Sequence, residues 1–421
     1  MKPINLFLMD ISHAGRTSGV DRYMESLIEE LKAYPSIQIH RIQLKLDNSI
    51  IFHREEQMPY YKEITIPLPQ QSNEIMSQKF WMDKYSEQVY RITRNLFEKK
   101  ENCIIHIHTL NLIDLAKFIR SKTKCKIITH LHCIPWKGLF NSNINKFNEL
   151  YNLAYISDGS TWQRDKFVMN ICELSSYTDA DRIICVTRCA KDFLEKIMAI
   201  PENKISVVPN GISDSGKEKR TTVGIDHRVL QLIYVGILSE SKGLKFILGA
   251  MQKARQKGCD VMLNVAGKIH PLQAEKIKEA NKELHLNFLG QIPFAELINY
   301  YTQSDAGIIA SLQEQSSYAA IEMAMFGLPI ITTAVDGLDE MFADDVNALK
   351  TRTHFTRCRG LSADTEQMAE RIIALANDRN LRIRLGKNAR QLYESKFTLK
   401  RMAEQTVQVY LKILEEEQNY E

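Results

Sequence analysis

The sequence predicts an α/β protein made of two doubly wound domains that face a central cleft. Three observations lead there. Short runs rich in Ile and Val recur along the whole chain, longer helical patterns separate them, and one polar, charged stretch, SDSGKEKRTTVGIDH from Ser213 to His227, divides the runs into two sets. Apolar runs of about four to eight residues without alternation read as parallel strands covered on both faces. Parallel strands need crossover connections, which helices usually supply.

In the first set the expected strands are Ile4–Met9, Ile37–Leu44, Cys103–His108, Lys126–His132, Arg182–Thr187 and Ile205–Pro209. In the second they are Leu230–Val235, Val261–Ala266, Leu286–Leu289, Ala306–Ala310 and Leu328–Thr332. The boundaries that follow are an N-terminal domain over 1–212, a linker over 213–227 and a C-terminal domain over 228–398. A last helix, about Leu399–Glu417, carries the stripe Met402, Val407, Tyr410, Leu411 and Leu414, a face suited to packing back (as part of 399–421) on the N-terminal domain. A length of 421 residues agrees with two or three domains.

Composition excludes several classes. Hydrophobic residues make up 44% and charged residues 25%, so the chain is neither disordered nor a small disulfide scaffold. Lys and Arg number 55 against 51 Asp and Glu; a net charge of +4 gives no support for a nucleic-acid partner. No apolar window of about 18 residues occurs, so no spanning helix is expected. The opening MKPINLFLMD reaches Asp10 too early for a secretory signal and reads as a buried strand. The 8 cysteines form no CxxC pair, which points to reduced thiols and a cytoplasmic protein.

In open α/β sheets, ligands bind outside the carboxyl ends of the strands. The richest such stretch is Ser304–Pro329. A strand ends near Ser311, a loop carries Glu314, a helix opens near Ser316, Ser317 and Tyr318, and Gly327-Leu-Pro329 stops it. The unpaired amides at a helix N-terminus suit a phosphate. Glu314 and Glu322 can flank one ligand as acceptors for sugar hydroxyls. The plainer alternative is that Glu314 is solvated and Glu322 merely favours the first turn. Lys242 follows a glycine-containing strand end, where a point charge can neutralise a diphosphate, or is simply solvated. The first strand leads into Gly15-Arg-Thr-Ser-Gly19, a small-residue loop that lets backbone approach a phosphate or an acceptor, with Arg16 a candidate acceptor contact.

His106 and His108 share one strand face, as do His130 and His132. Two such pairs have zinc-ligand chemistry. No metallohydrolase carboxylate motif accompanies them, so no metal site is expected, and His106 and His108 read as buried, hydrogen-bonded histidines. The segment Lys79–Lys100 is aromatic and basic, with Tyr85, Val89, Ile92 and Leu96 at helical spacing. Core packing explains that stripe. The alternative use, kept open by Phe80 and Trp81, is peripheral contact with the inner membrane face.

Taken in order, the motifs resemble the retaining GT-B glycosyltransferases of family 4. Glu314 and Glu322 have the E-x7-E spacing, followed by Gly327-Leu-Pro329. Asp179-Ala-Asp-Arg-Ile-Ile-Cys-Val-Thr looks like that family's ADRIIAVS strand, and Ile205-Ser-Val-Val-Pro-Asn-Gly-Ile its hinge segment. Tyr234-Val-Gly236-Ile-Leu-Ser-Glu-Ser-Lys242-Gly243 is similar to its VGRL-x3-KG loop, and Asn287-Phe-Leu-Gly290 and Thr332–Glu340 also fit. The resemblance implies a GT-B fold of two Rossmann-like domains. It implies transfer of a sugar from a nucleoside-diphosphate donor with retention, without metal or other cofactor. By the same resemblance Glu322 meets the ribose, Lys242 the diphosphate and Glu314 the donor sugar. Gly236, Ser316, Ser317 and Tyr318 complete the donor site, and His132 and Gly19 lie near the donor, with His130 a weaker alternative to His132 and, with Arg16, a candidate acceptor contact.

The pattern has departures. Ile237 stands where the family has arginine, and Gln315 and Ser317 stand where it has glycines. Polysaccharide, lipid-linked glycan and protein glycan stay open as acceptors. A non-catalytic GT-B subunit that binds nucleotide sugar or glycan is the first alternative function, and a nucleotide-sugar epimerase the second.

Overall fold

A computed structural model of the chain describes residues 3–13, 19–47, 50–68, 75–134, 137, 176–216, 229–356 and 360–418. Arg16, the expected linker from 217 to 227 and the side chains of Phe80 and Trp81 lie outside the described residues. The chain forms two compact units. One comprises Met1–His132, Val168–Val208 and Leu399–Glu421; the other comprises Cys133–Phe167 and Pro209–Thr398.

The strands of the first unit are β1 (Ile4–His13), β2 (Ile37–Leu46), β3 (Arg54–Gln57), β4 (Tyr61–Pro67), β5 (Cys103–Ile107), β6 (Lys126–Leu131), β7 (Arg182–Cys185) and β8 (Ile205–Val207). They form one sheet in the order β3-β4-β2-β1-β5-β6-β7-β8. All pairs are parallel except β3 with β4. That antiparallel edge was not expected. Arg54-Glu-Glu-Gln57 is polar and exposed along its length, so periodicity carries no sign of it, and an edge strand of this composition needs only one partner. The helices are α1 (Gly19–Leu31), α2 (Ile75–Phe97), α3 (Ile113–Lys122), α4 (Arg188–Lys196) and, at the end of the chain, Leu399–Gln418.

Helix α2 buries Tyr85, Val89, Thr93 and Phe97, while Ile92 and Leu96 are half-buried, so its apolar stripe faces the core. No helix among the described residues is long and apolar enough to cross a membrane. The C-terminal helix packs on α1 within the first unit, burying Met402, Val407, Tyr410 and Leu414 and half-burying Leu411. The nearly buried Arg182 of β7 pairs with Glu416 at its end.

The second unit has β9 (Leu230–Val235), β10 (Val261–Ala266), β11 (His285–Gly290), β12 (Ala306–Ile309), β13 (Ile330–Thr333) and β14 (Leu349–Thr351) in the order β11-β10-β9-β12-β13-β14, all parallel. A separate antiparallel pair, β15 (Thr353–Thr356) with β16 (Gly360–Ala363), follows. The helices of this unit are α5 (Leu244–Gln256), α6 (Pro271–Ala280), α7 (Phe294–Gln303), α8 (Tyr318–Met325), α9 (Asp336–Met341), α10 (Thr365–Asn377) and α11 (Arg379–Lys396), which makes the C-terminal helix α12.

The continuous apolar runs are explained by two cores, one on each sheet face. Leu230, Leu232 and Tyr234 join Ile247 and Met251 of α5 and Met368 and Ile372 of α10. Ile233, the intervening residue, joins Ile321 and Met325 of α8 and Leu392 and Tyr393 of α11. Alternation along β9 thus sends successive side chains to different cores. Burying each large aliphatic side chain contributes about 1.5–3 kcal/mol.

The start of the expected linker does not behave as one. Asp214 is ion-paired with Arg390 of α11, whose guanidinium also donates to the Met325 carbonyl. The Tyr393 hydroxyl donates to the Ile212 carbonyl at 3.0 Å. Residues 213–216 are therefore fastened to the second unit; a polar composition made them look unattached.

Candidate active site

The E-x7-E segment lies where β12 gives way to α8. The Ser317 hydroxyl caps α8, accepting from the Ala320 amide at 3.3 Å. Glu322 sits on the second turn and is only 2% exposed. The buried Tyr301 hydroxyl of α7 donates to its carboxylate at 2.6 Å. Glu322 is thus a buried, oriented carboxylate rather than a solvated first-turn acid. Tyr301 was missed by sequence reasoning, because a tyrosine in an ordinary amphipathic helix gives no sign of its partner.

The other carboxylate is placed by two loops. After β9 the chain turns through Gly236, whose amide donates to the Ala266 carbonyl at 3.0 Å. That amide closes the sheet end, so a role for Gly236 in donor binding rests on its small size rather than on its N–H. A 3-10 turn over Glu240–Lys242 follows, closed by the Lys242 and Gly243 amides donating to the carbonyls of Ser239 and Glu240. The Leu312 amide donates to the Ser241 carbonyl at 2.7 Å, which joins this turn to the loop after β12. In consequence Lys242 and Glu314 form an ion pair, 28% and 16% exposed. The side chains expected on diphosphate and donor sugar are thus each other's partners. Burial and then the Glu314 charge hold the Tyr234 phenol well above its ordinary range.

Two glycines make this approach possible. Gly243 has φ +73°, and a Cβ there would lie 1.9 Å from the Ala310 carbonyl oxygen. Gly337 would place a Cβ 1.6 Å from the Gln315 carbonyl oxygen, and its amide donates to the Glu314 carbonyl at 2.8 Å. Gly243→Ala is expected to destabilise the second unit by about 2–4 kcal/mol, from left-handed backbone strain added to a backbone clash. Urea unfolding will test this; a midpoint within error of wild type counts against the close approach.

Beside Gly337, Asp336 forms a largely buried ion pair with Lys137, and Asn210 of the hinge segment donates to the Ser316 carbonyl at 3.3 Å. Neither pairing was anticipated, since each joins residues far apart in the chain. Ile237 is 68% exposed, so the position where arginine was expected offers an apolar side chain and no charge.

In the first unit Gly19 is the exposed first residue of α1 rather than part of a preceding loop. His132 follows β6, where burial lowers its imidazole to about 3 and keeps it neutral. Its Nε2 lies 3.1 Å from His108 Nδ1. His130 is 3% exposed, which leaves almost no surface for an acceptor.

Comparison with known proteins agrees with this architecture. The model for Glycosyltransferase Family 4 matches residues 17–215, and the model for Glycosyl transferases group 1 matches residues 216–392. An uncharacterized glycosyltransferase of Methanocaldococcus jannaschii is 23% identical over 385 residues, 90% of each chain. Sucrose-phosphate synthase from Thermosynechococcus elongatus superposes with a TM-score of 0.73 at 18% identity, over 97% of this chain and 99% of that one. Anabaena Alr3699/HepE, solved in complex with UDP-glucose, gives 0.65 at 14% identity, over 97% of this chain and 100% of that one. With a glycosyltransferase model on each half and two Rossmann-like units beneath them, the chain belongs to family 4 of the GT-B glycosyltransferases.

Proposed function

We propose that this glycosyltransferase moves a sugar from a nucleoside-diphosphate donor to a glycan, lipid-linked or protein-linked acceptor, with retention at the anomeric carbon. The observation that carries the reading is the ion pair of Lys242 with Glu314 in the loops after β9 and β12, the second of which leads into α8 with its buried, Tyr301-bonded Glu322. Glu322, oriented by Tyr301, accepts from the ribose hydroxyls. Lys242 leaves Glu314 for the diphosphate, so that a lysine rather than a metal meets the departing charge. Glu314, released from its ion pair, accepts from donor sugar hydroxyls and places the reacting carbon. Ser316, Ser317 and Tyr318 supply the polar rim and Gly236 the space. Gly19, His132 and Arg16 of the N-terminal unit are assigned to the substrates, His132 as a neutral imidazole that orients hydroxyls. Support for the donor class comes from the neighbour HepE, whose structure holds UDP-glucose.

The test is a thermal-shift panel with UDP, GDP, ADP and their sugars on wild type and Glu322→Ala. Ligand at a hundred times its dissociation constant stabilises by about 2.7 kcal/mol. A shift of several degrees with one nucleotide, lost in the variant, is expected; no shift with any of them counts against the reading. The exposed Ile237 favours one second reading, a subunit that binds the nucleotide sugar without transferring it. Donor binding without transfer or donor hydrolysis distinguishes it.

A further inference from the structure

The first unit contains a polar constellation that the transfer reaction does not use. His106 lies in β5, His108 directly after it and His130 in β6. The two strands are parallel, with Ile107 opposite Thr129, so His108 comes beside His130 and all three imidazoles share one sheet face. They are 0%, 3% and 3% exposed. One ligating nitrogen from each lies within 4.8 Å of the others. Tyr23 of α1 packs its ring against His108 and His130, and Tyr410 of α12 against His106.

The hydrogen bonds show which nitrogens are available. His106 Nδ1 is 2.8 Å from the Tyr410 hydroxyl, and His108 Nδ1 is 3.1 Å from His132 Nε2. Nε2 of His106, Nε2 of His108 and both nitrogens of His130 have no partner among the described residues. An unpaired nitrogen buried this deeply is unfavourable, and here at least one from each imidazole is in that state. A hydrogen bond at Nδ1 is also the arrangement that fixes a metal-binding histidine's orientation and leaves Nε2 to coordinate.

We propose that His106, His108 and His130 bind one divalent first-row transition ion, of the zinc and cobalt class, inside the N-terminal unit. Three neutral imidazoles without thiolate or carboxylate suit such borderline ions and leave a fourth position for water. The proposed ion joins β5 to β6 beneath α1 and α12. Its ligand His108 is hydrogen-bonded to His132, which the proposed transfer reaction assigns to the substrates, whereas Lys242, Glu314 and Glu322 belong to the other unit.

The test uses the full chain, stripped with chelator and titrated with Co²⁺ and then Zn²⁺. One equivalent of Co²⁺ per chain, with the visible absorption of a nitrogen-ligated ion and displacement by Zn²⁺, is expected. His106→Gln and His130→Gln should each lose that equivalent. Tyr410→Phe removes the hydroxyl that bonds His106 Nδ1 and should weaken Co²⁺ binding about tenfold. If the histidine variants fail to fold, wild-type stoichiometry and Tyr410→Phe decide the matter. No bound equivalent in wild type, or affinity unchanged in Tyr410→Phe and in folded histidine variants, overturns the proposal. So does loss of binding in Cys133→Ser with the histidines intact, since it would place the ion at that exposed thiol.

Discussion

Lys242→Met is expected to lower kcat for glycosyl transfer by about 10²–10³-fold, equivalent to roughly 3–4 kcal/mol of transition-state stabilisation. In the proposed reaction charge develops on the diphosphate as its bond to the sugar breaks, so a cation aimed there contributes more in the transition state than in the bound donor. Ile237 supplies no second charge at the neighbouring position where arginine was expected. The ion pair adds a second effect: without Lys242, Glu314 keeps its carboxylate with that partner gone, beside an incoming dianion. Donor affinity should therefore weaken as well, and Lys242→Met combined with Glu314→Gln should recover part of the affinity but little of kcat. Lys242→Arg keeps the charge and should retain more activity than the methionine variant. A kcat within about threefold of wild type in Lys242→Met would remove Lys242 from the chemistry.

The second large effect is acid lability confined to the N-terminal unit. His106 is buried among His108, His130 and His132, with Tyr23 of α1 and Tyr410 of α12 against the cluster. The Arg41 cation also lowers His108, and Arg41 is paired with Asp10 and Glu63. Burial, reinforced by the neighbouring imidazole of His132, lowers His106 to about 3, against an ordinary value of 6.5. Between those values the unfolded chain binds a proton that the native state refuses, so stability rises with pH there and is lost as pH falls from 6.5 toward 3. From pH 7 to pH 5 His106 alone accounts for about 2 kcal/mol. For a unit of this size that is a fall of about 4–8 °C in its melting transition, and the neighbouring imidazoles act in the same direction. The described histidines of the other unit, His270, His285 and His354, are exposed. Calorimetry at pH 7 and pH 5 should show the N-terminal transition falling farther. Equal shifts in the two units would contradict the buried-imidazole account.

Much of the strand framework was legible in the sequence. Leu230–Val235 and Val261–Ala266 form strands over the expected residues, because a strand covered on both faces must be apolar throughout. The helix carrying Glu322 was legible from its cap and its Gly-x-Pro stop. The β3–β4 edge was not, since an exposed polar strand has no periodic signature. Nor was the pairing of Asp214 with Arg390, which depends on where α11 returns to the start of the second unit.

By itself the sequence determined the two α/β units, the family and the residue types of the proposed donor site, because motif spacing and local hydrophobic pattern are properties of neighbouring residues. Only the tertiary structure decided who partners whom: Lys242 with Glu314, Tyr301 with Glu322, and three imidazoles from two parallel strands with one another. Each of those contacts joins segments brought together by sheet order and strand register. A burial such as that of His130, or an unpaired nitrogen, exists only once every element around it is in place.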